Sequence, residues 1–126
     1  MEKELIKRAT EVAIEKKLSE QCVIGQVGSA LITDKGNIYV GTCLDCGCGI
    51  GFCAEVSAIA SMTTSGESKI KTIVAVGSDG KILSPCGKCR ELMMQINPEN
   101  KEIEVILENK VLKLKDLLPE YWFNKN

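Results

Sequence analysis

The chain has 126 residues, 44% of them hydrophobic and 26% charged, with a formal net charge of −1. That length suits one domain with one core, and a nearly neutral chain offers no basic field, which excludes sequence-independent binding of nucleic acid as its main work. The first eight residues lack the apolar core and cleavage site of a signal peptide. No apolar run approaches the ~18–20 residues that would span a bilayer, so the expectation is a cytoplasmic protein with no membrane contact.

In chain order, Leu5, Ala9, Val12 and Ala13 share one face of residues 3–17 and predict an amphipathic helix, interrupted by Ser19-Glu20-Gln21. Val23 to Thr33 is apolar and β-favouring, Asp34-Lys35-Gly36-Asn37 carries turn chemistry, and Ile38 to Gly41 is again extended, which together predict a β-hairpin. Residues 42–52 hold three cysteines and three glycines and read as an irregular loop held close to something. A largely buried helix is predicted from Cys53 to Thr64, a buried strand from Ile70 to Gly77, and a turn at Ser78-Asp79-Gly80-Lys81. A helix from Cys86 to Ile96 follows, halted by Asn97-Pro98. Strands at Ile103–Leu107 and Val111–Leu114 flank the turn Glu108-Asn109-Lys110, and one helical turn at 115–118 precedes Pro119 and Tyr121-Trp122-Phe123. The order α-ββ-α-β-α-ββ predicts a single α/β domain over residues 1–126, a mixed sheet flanked by helices.

Cysteine use is the unusual feature. There are seven cysteines and no histidine. An odd count in a reducing compartment argues against a disulfide framework and for metal ligation or catalysis. Without histidine, Ser-His and Cys-His nucleophile arrangements are excluded, and any zinc site is built from sulfur and carboxylate.

Two fragments carry the candidate chemistry: Cys53-Ala54-Glu55 and Pro85-Cys86-Gly87-Lys88-Cys89, each where a loop enters a predicted helix. The unpaired N–H groups and positive dipole of a helix start favour thiolate over thiol. If the two helices pack side by side, Cys53, Cys86 and Cys89 converge and leave one tetrahedral position on zinc open, as hydrolytic catalysis requires. Glu55, in the first helical turn, would face that position. The reaction this suits is attack of water on an electron-poor ring carbon, C4 of cytosine. The carboxylate takes a proton from water, protonates ring N3 and helps ammonia leave. Three thiolates make the cluster net negative, and Lys88 and Arg90 are the cations placed to compensate, together with the two helix ends. Other readings of the same residues stay open: a structural zinc module or redox dithiol at Cys86 and Cys89, Cys53 as a small apolar residue, Glu55 as a capping residue. Cys43, Cys46 and Cys48 could form a second metal or iron–sulfur site, aid zinc loading, or simply be small residues in a tight loop.

As a set, these motifs resemble the cytidine deaminase family, and more closely its blasticidin S deaminase branch. The resemblance runs from about Val23 to Phe123: Val27-Gly28-Ser29-Ala30-Leu31 is similar to the family's first strand, Ile73-Val74-Ala75-Val76-Gly77 to its central one, Leu83-Ser84-Pro85-Cys86-Gly87-Lys88-Cys89-Arg90 to its second zinc motif, and Leu117-Leu118-Pro119 with its aromatics to the tail. The resemblance implies a three-layer α/β/α fold with a mixed five-stranded sheet, and one zinc ion per subunit on Cys53, Cys86 and Cys89. It implies Glu55 as acid/base, a cytosine nucleoside held by the Ala54 and Glu55 backbone, and the Ser84 carbonyl near the leaving amine. It further implies a homotetramer in which aromatics such as Trp122 or Phe123 complete a neighbour's site. Where the family reads ribose with Asn-x-Glu, this chain carries Cys43-Leu44-Asp45, so Cys43 and Asp45 are the candidates for the sugar end. Val56 follows Cys-Ala-Glu in place of the cytidine deaminases' Arg, as an apolar residue does in the blasticidin branch.

Overall fold

The computed structural model describes residues 1–123. Helix α1 (Glu2–Glu11) is followed by strands β1 (Lys16–Ser19), β2 (Cys22–Thr33) and β3 (Ile38–Cys46), then helix α2 (Ala54–Thr64) and strands β4 (Ile70–Gly77) and β5 (Ile82–Leu83). Helix α3 (Gly87–Ile96) leads through a 3-10 segment (Pro98–Glu102) to β6 (Glu104–Ile106), β7 (Val111–Lys113) and the single-turn helix α4 (Leu114–Leu117). None of these helices is long and apolar enough to cross a membrane.

Five strands lie side by side in the order β3-β2-β4-β6-β7, as the resemblance implies, and two short strands bring the sheet to seven. Residues 22–24 of β2 pair with β1, and residues from Val27 onward pair with β4 along the same edge. In the same way β5 extends the edge of β4 that β6 occupies lower down. Only β4 and β6 run parallel, joined through α3; every other pair is antiparallel. A parallel pair needs a crossover, and α3 supplies it.

Strand alternation assigns each face. Ala30, Ile32, Val74, Val76 and Ile106 pack with Leu5 and Ala9 of α1. Leu31, Ile73 and Val105 point the other way, against Ala58, Ile59 and Met62 of α2 and Cys89, Met93 and Met94 of α3. The result is three layers, with α2 and α3 on one side. Each fully buried Leu, Ile or Met contributes about 1.5–3 kcal/mol, so the two clusters fix both helices against the sheet. Gly41 of β3 makes close approach possible: a Cβ there would lie 2.4 Å from the Ala58 nitrogen, so α2 rides directly on the strand.

Three expectations are corrected. The first helix does not reach residue 17; it ends at Glu11, and Lys16-Lys17-Leu18-Ser19 forms an exposed strand that hydrogen-bonds to the start of β2. Residues 42–52 are not wholly irregular, because β3 continues to Cys46, pairing with β2 on both sides of a bulge between Ile24 and Gly28. Ile82 and Leu83 form a strand that was not expected.

Candidate active site

Cys53 and Cys86 are the N-cap residues of α2 and α3, both in extended backbone. Cys89 stands in the first turn of α3 and is fully buried. The Cys53 and Cys86 sulfurs are 3.7 Å apart and those of Cys86 and Cys89 are 3.6 Å apart. All three sulfurs lie within 4.8 Å of one another. Ligands at about 2.3 Å from a tetrahedral zinc place their sulfurs roughly 3.8 Å apart, and the Cys53–Cys86 and Cys86–Cys89 separations are close to that edge length. Among the described residues this is the group of Cys, Asp and Glu side chains gathered tightly enough to hold a metal ion.

The electrostatics favour a cation here. Burial pushes the Cys53 thiol up, aided by its proton sharing with Cys86, and burial together with the nearby Glu55 charge pushes Cys89 up strongly. Burial opposes ionisation of Cys86 too, but hydrogen bonding with the Cys89 and Lys88 backbone and shared with the Cys89 and Cys53 sulfurs holds it below the ordinary thiol range. Burial and mutual hydrogen bonding thus set the three sulfurs against ionising together, and a divalent cation is what would let all three do so.

Glu55, in the first turn of α2, is buried to 5% exposure. Burial raises its carboxyl above the usual range, against the opposing pull of a backbone N–H and the Cys89 thiol. The carboxyl opens onto a cavity of about 440 Å³ whose wall also includes Cys53, Ala54, Cys86, Ser84, Cys43, Asp45 and Lys88. The site residues from both motifs and from the end of β3 therefore share one concavity.

Arg90, Trp122 and Phe123 are placed otherwise. The Arg90 guanidinium donates to the Pro85 carbonyl (2.8 Å), the Leu117 carbonyl (2.9 Å) and the Ser84 hydroxyl (2.9 Å), tying the loop before α3 to α4. Trp122 and Phe123 are 68% and 56% exposed and border a separate groove with Met94, Gln95 and Leu118. The Trp122 indole donates to Glu91 (2.7 Å).

The second cysteine group divides. Cys43 accepts from the Val27 N–H at 3.3 Å, Cys46 faces Cys22 with the sulfurs 2.9 Å apart, and Cys48 is exposed at φ +62°. Gln26, Val27, Phe52 and Leu83 also line the cavity, and residue-by-residue reading missed them. For Phe52 a signal existed, an aromatic immediately before the Cys-Ala-Glu motif. Gln26 and Val27 lie in the β2 bulge between Ile24 and Gly28.

The sequence profile of the family described as the cytidine and deoxycytidylate deaminase zinc-binding region matches residues 2–104. The chain belongs to this deaminase family. The cytidine deaminase of Mycobacterium tuberculosis is 28% identical over 97 residues, covering 75% of this chain and 70% of that protein. The blasticidin-S deaminase of Bacillus cereus is 37% identical over 82 residues, 58% of this chain and 59% of the relative. Among solved structures, the cytidine deaminase of Burkholderia pseudomallei superposes with a TM-score of 0.76 at 28% identity, over 95% of this chain and 98% of that one. The M. tuberculosis enzyme superposes at 0.81 with 24% identity over 97% of each chain, which speaks to the fold. The deaminase is accordingly a zinc-dependent hydrolase, and the Cys53, Cys86 and Cys89 sulfurs suit the metal its family carries.

Proposed function

We propose that the protein hydrolyses the exocyclic amine of a cytosine nucleoside, giving the uracil form and ammonia, with Glu55 carrying the protons. The observation that carries this reading is a nearly fully buried carboxyl, Glu55, that lines one cavity with Cys53 and Cys86, whose sulfurs converge with that of the buried Cys89. Cys53, Cys86 and Cys89 would hold zinc, which when bound supplies a Lewis acid that makes a water molecule acidic at neutral pH. Everything else falls to the chain's own groups. Glu55 takes a proton from the attacking water and delivers it to ring N3; it then takes the proton of the hydroxyl left on C4 and passes it to the amine, which leaves as ammonia. Its burial, which raises its proton affinity, suits a group that must hold a proton between two transfers.

Cys53 and Cys86 stand at the N-termini of α2 and α3, so the positive dipole ends of both helices offset the negative charge of the sulfurs. Lys88, exposed at the cavity rim, adds a positive charge on the same side. Arg90 contributes by holding Pro85 and Ser84, and with them the entry to Cys86, in place. In this reading the Ala54 and Glu55 backbone borders the pyrimidine and the Ser84 carbonyl receives the departing amine. Cys43 and Asp45 then meet the sugar end.

The substrate is cytidine, deoxycytidine or an aminoacylated cytosine nucleoside of the blasticidin S kind. The identity to a blasticidin-S deaminase and the carboxylate of Asp45 at the rim keep the last of these in the set. We further infer a homotetramer, in which the exposed Trp122 and Phe123 of one copy reach the cavity of another; light scattering on the purified protein reads the assembly directly. The substrate is tested by kcat/KM for each nucleoside on zinc-loaded protein. One of the three should exceed the others by at least about tenfold, and turnover of none would remove the reading. A non-catalytic zinc module would instead place four sulfurs and no light atom around the metal in zinc X-ray absorption.

A further inference from the structure

The first residue of β2 and the last of β3, Cys22 and Cys46, are direct cross-strand partners in the antiparallel pair. Their sulfurs lie 2.9 Å apart, closer than any two sulfurs given for the metal triad, and both residues are half-buried and free. The neighbouring hydrogen bond from the Gly47 N–H to the Gln21 carbonyl (3.1 Å) marks 22 and 46 as a non-hydrogen-bonded pair. In such pairs the Cα atoms sit about 4.5 Å apart with side chains on one face, inside the range of roughly 4.4–6.8 Å that a disulfide spans. Neither cysteine belongs to the metal triad. Cys46 also lines the substrate cavity, next to Asp45, so a small thiol reagent can reach it from solvent.

We propose that Cys22 and Cys46 are a reversible disulfide site that, when oxidised, clamps the cavity end of β3 to the start of β2. The oxidant is a small-molecule disulfide of the glutathione class. One thiolate of the pair attacks a sulfur of that disulfide, forming a mixed disulfide and expelling one small thiolate. The second protein sulfur then attacks the mixed disulfide at the protein sulfur, forming the Cys22–Cys46 bond and expelling the second small thiolate. The two protein protons end on the two released thiols, and the two electrons reduce the small disulfide. Before oxidation the pair shares a proton: hydrogen bonding to Cys22, with burial, pushes the Cys46 thiol up to about 11. The cross-link closes a 24-residue separation that includes the β2–β3 turn, so it restrains the unfolded chain as well as the folded edge. Strand β3 pairs with β2 alone along its length, apart from a single bridge to Phe52, so its end is the part of the cavity wall with most to gain.

The test is peptide mapping and thermal unfolding of zinc-loaded protein after incubation with glutathione disulfide or with reduced glutathione. The wild type should lose two free thiols, yield a 22–46 cross-linked peptide located by fragmentation, and unfold roughly 5 °C or more higher than the reduced form. Cys22→Ser and Cys46→Ser should each abolish the cross-link and the rise, and Cys48→Ser should keep both. A cross-link that moves to Cys43 or Cys48, or no 22–46 cross-link in oxidised wild type, would overturn the site. A 22–46 cross-link with no rise in unfolding temperature would overturn the clamp.

Discussion

Leu44 and Phe52 exchange both backbone hydrogen bonds, Leu44 N–H to Phe52 O at 3.0 Å and Phe52 N–H to Leu44 O at 2.9 Å. This one bridge folds the glycine-rich segment back along β3 and delivers Cys53 to the start of α2 beside Asp45 and Cys43. Gly51 makes it possible, because a Cβ there would sit 1.8 Å from the Leu44 carbonyl oxygen. Gly51→Ala should therefore break the bridge, lowering stability by about 1–3 kcal/mol and reducing zinc retention. Gly47→Ala, whose Cβ meets nothing within 4 Å, should be near neutral. Urea unfolding and metal content of both variants check this.

Arg90 makes three hydrogen bonds that lysine cannot reproduce together. Arg90→Lys should cost about 1–2 kcal/mol of stability and loosen the Pro85-Cys86 entry. The loosening should appear as a several-fold faster loss of zinc to a chelator. An unchanged chelation rate would separate Arg90 from the metal site.

Asn100 is fully buried in the 3-10 segment, where its side chain accepts from the Ile70 N–H (2.9 Å) and donates to the carbonyls of Ser68 (3.0 Å) and Met93 (2.8 Å). It joins the start of β4 to α3. Asn100→Ala strands a buried N–H and opens a void, so a loss of about 3 kcal/mol is expected, measured by denaturant unfolding.

Glu67 accepts from the Asn37 side chain and the Tyr39 hydroxyl, each at 2.8 Å. These partners, Asn37 foremost, hold its carboxyl below the usual range. Because the folded value lies below the unfolded one, the contribution is complete above the unfolded carboxylate range and fades as pH falls through the folded value. Between pH 7 and 3 the unfolding midpoint of the wild type should drop more steeply than that of Glu67→Gln.

Local chemistry made the metal triad legible in the sequence: cysteines at two helix starts, a carboxyl two residues after one of them, and no histidine to compete. Strand Ile70–Gly77 was legible down to its ends, since Ile73-Val74-Ala75-Val76 is a continuous apolar run of the kind a buried central strand carries, closed by the turn residues after Gly77. Lys16–Ser19 was not, because all four residues are exposed and only hydrogen bonding to β2 makes them a strand. The extension of β3 through Thr42-Cys43-Leu44-Asp45-Cys46 was hidden for a similar reason. Asp is a poor strand former and the glycines just beyond suggest a loop, yet pairing with β2 overrides propensity. The facing of Cys22 and Cys46 depends on a register set across a bulge, which no local window reports. Phe52 enters the cavity wall through another long-range pairing, its bridge to Leu44.

Glu55 as proton carrier at a zinc site is tested most directly by ammonia release from zinc-loaded Glu55→Gln beside the wild type on a turned-over cytosine nucleoside. The variant should keep one zinc per chain and the same fold while kcat falls by about 100-fold or more. Undiminished turnover by Glu55→Gln with zinc in place would contradict it.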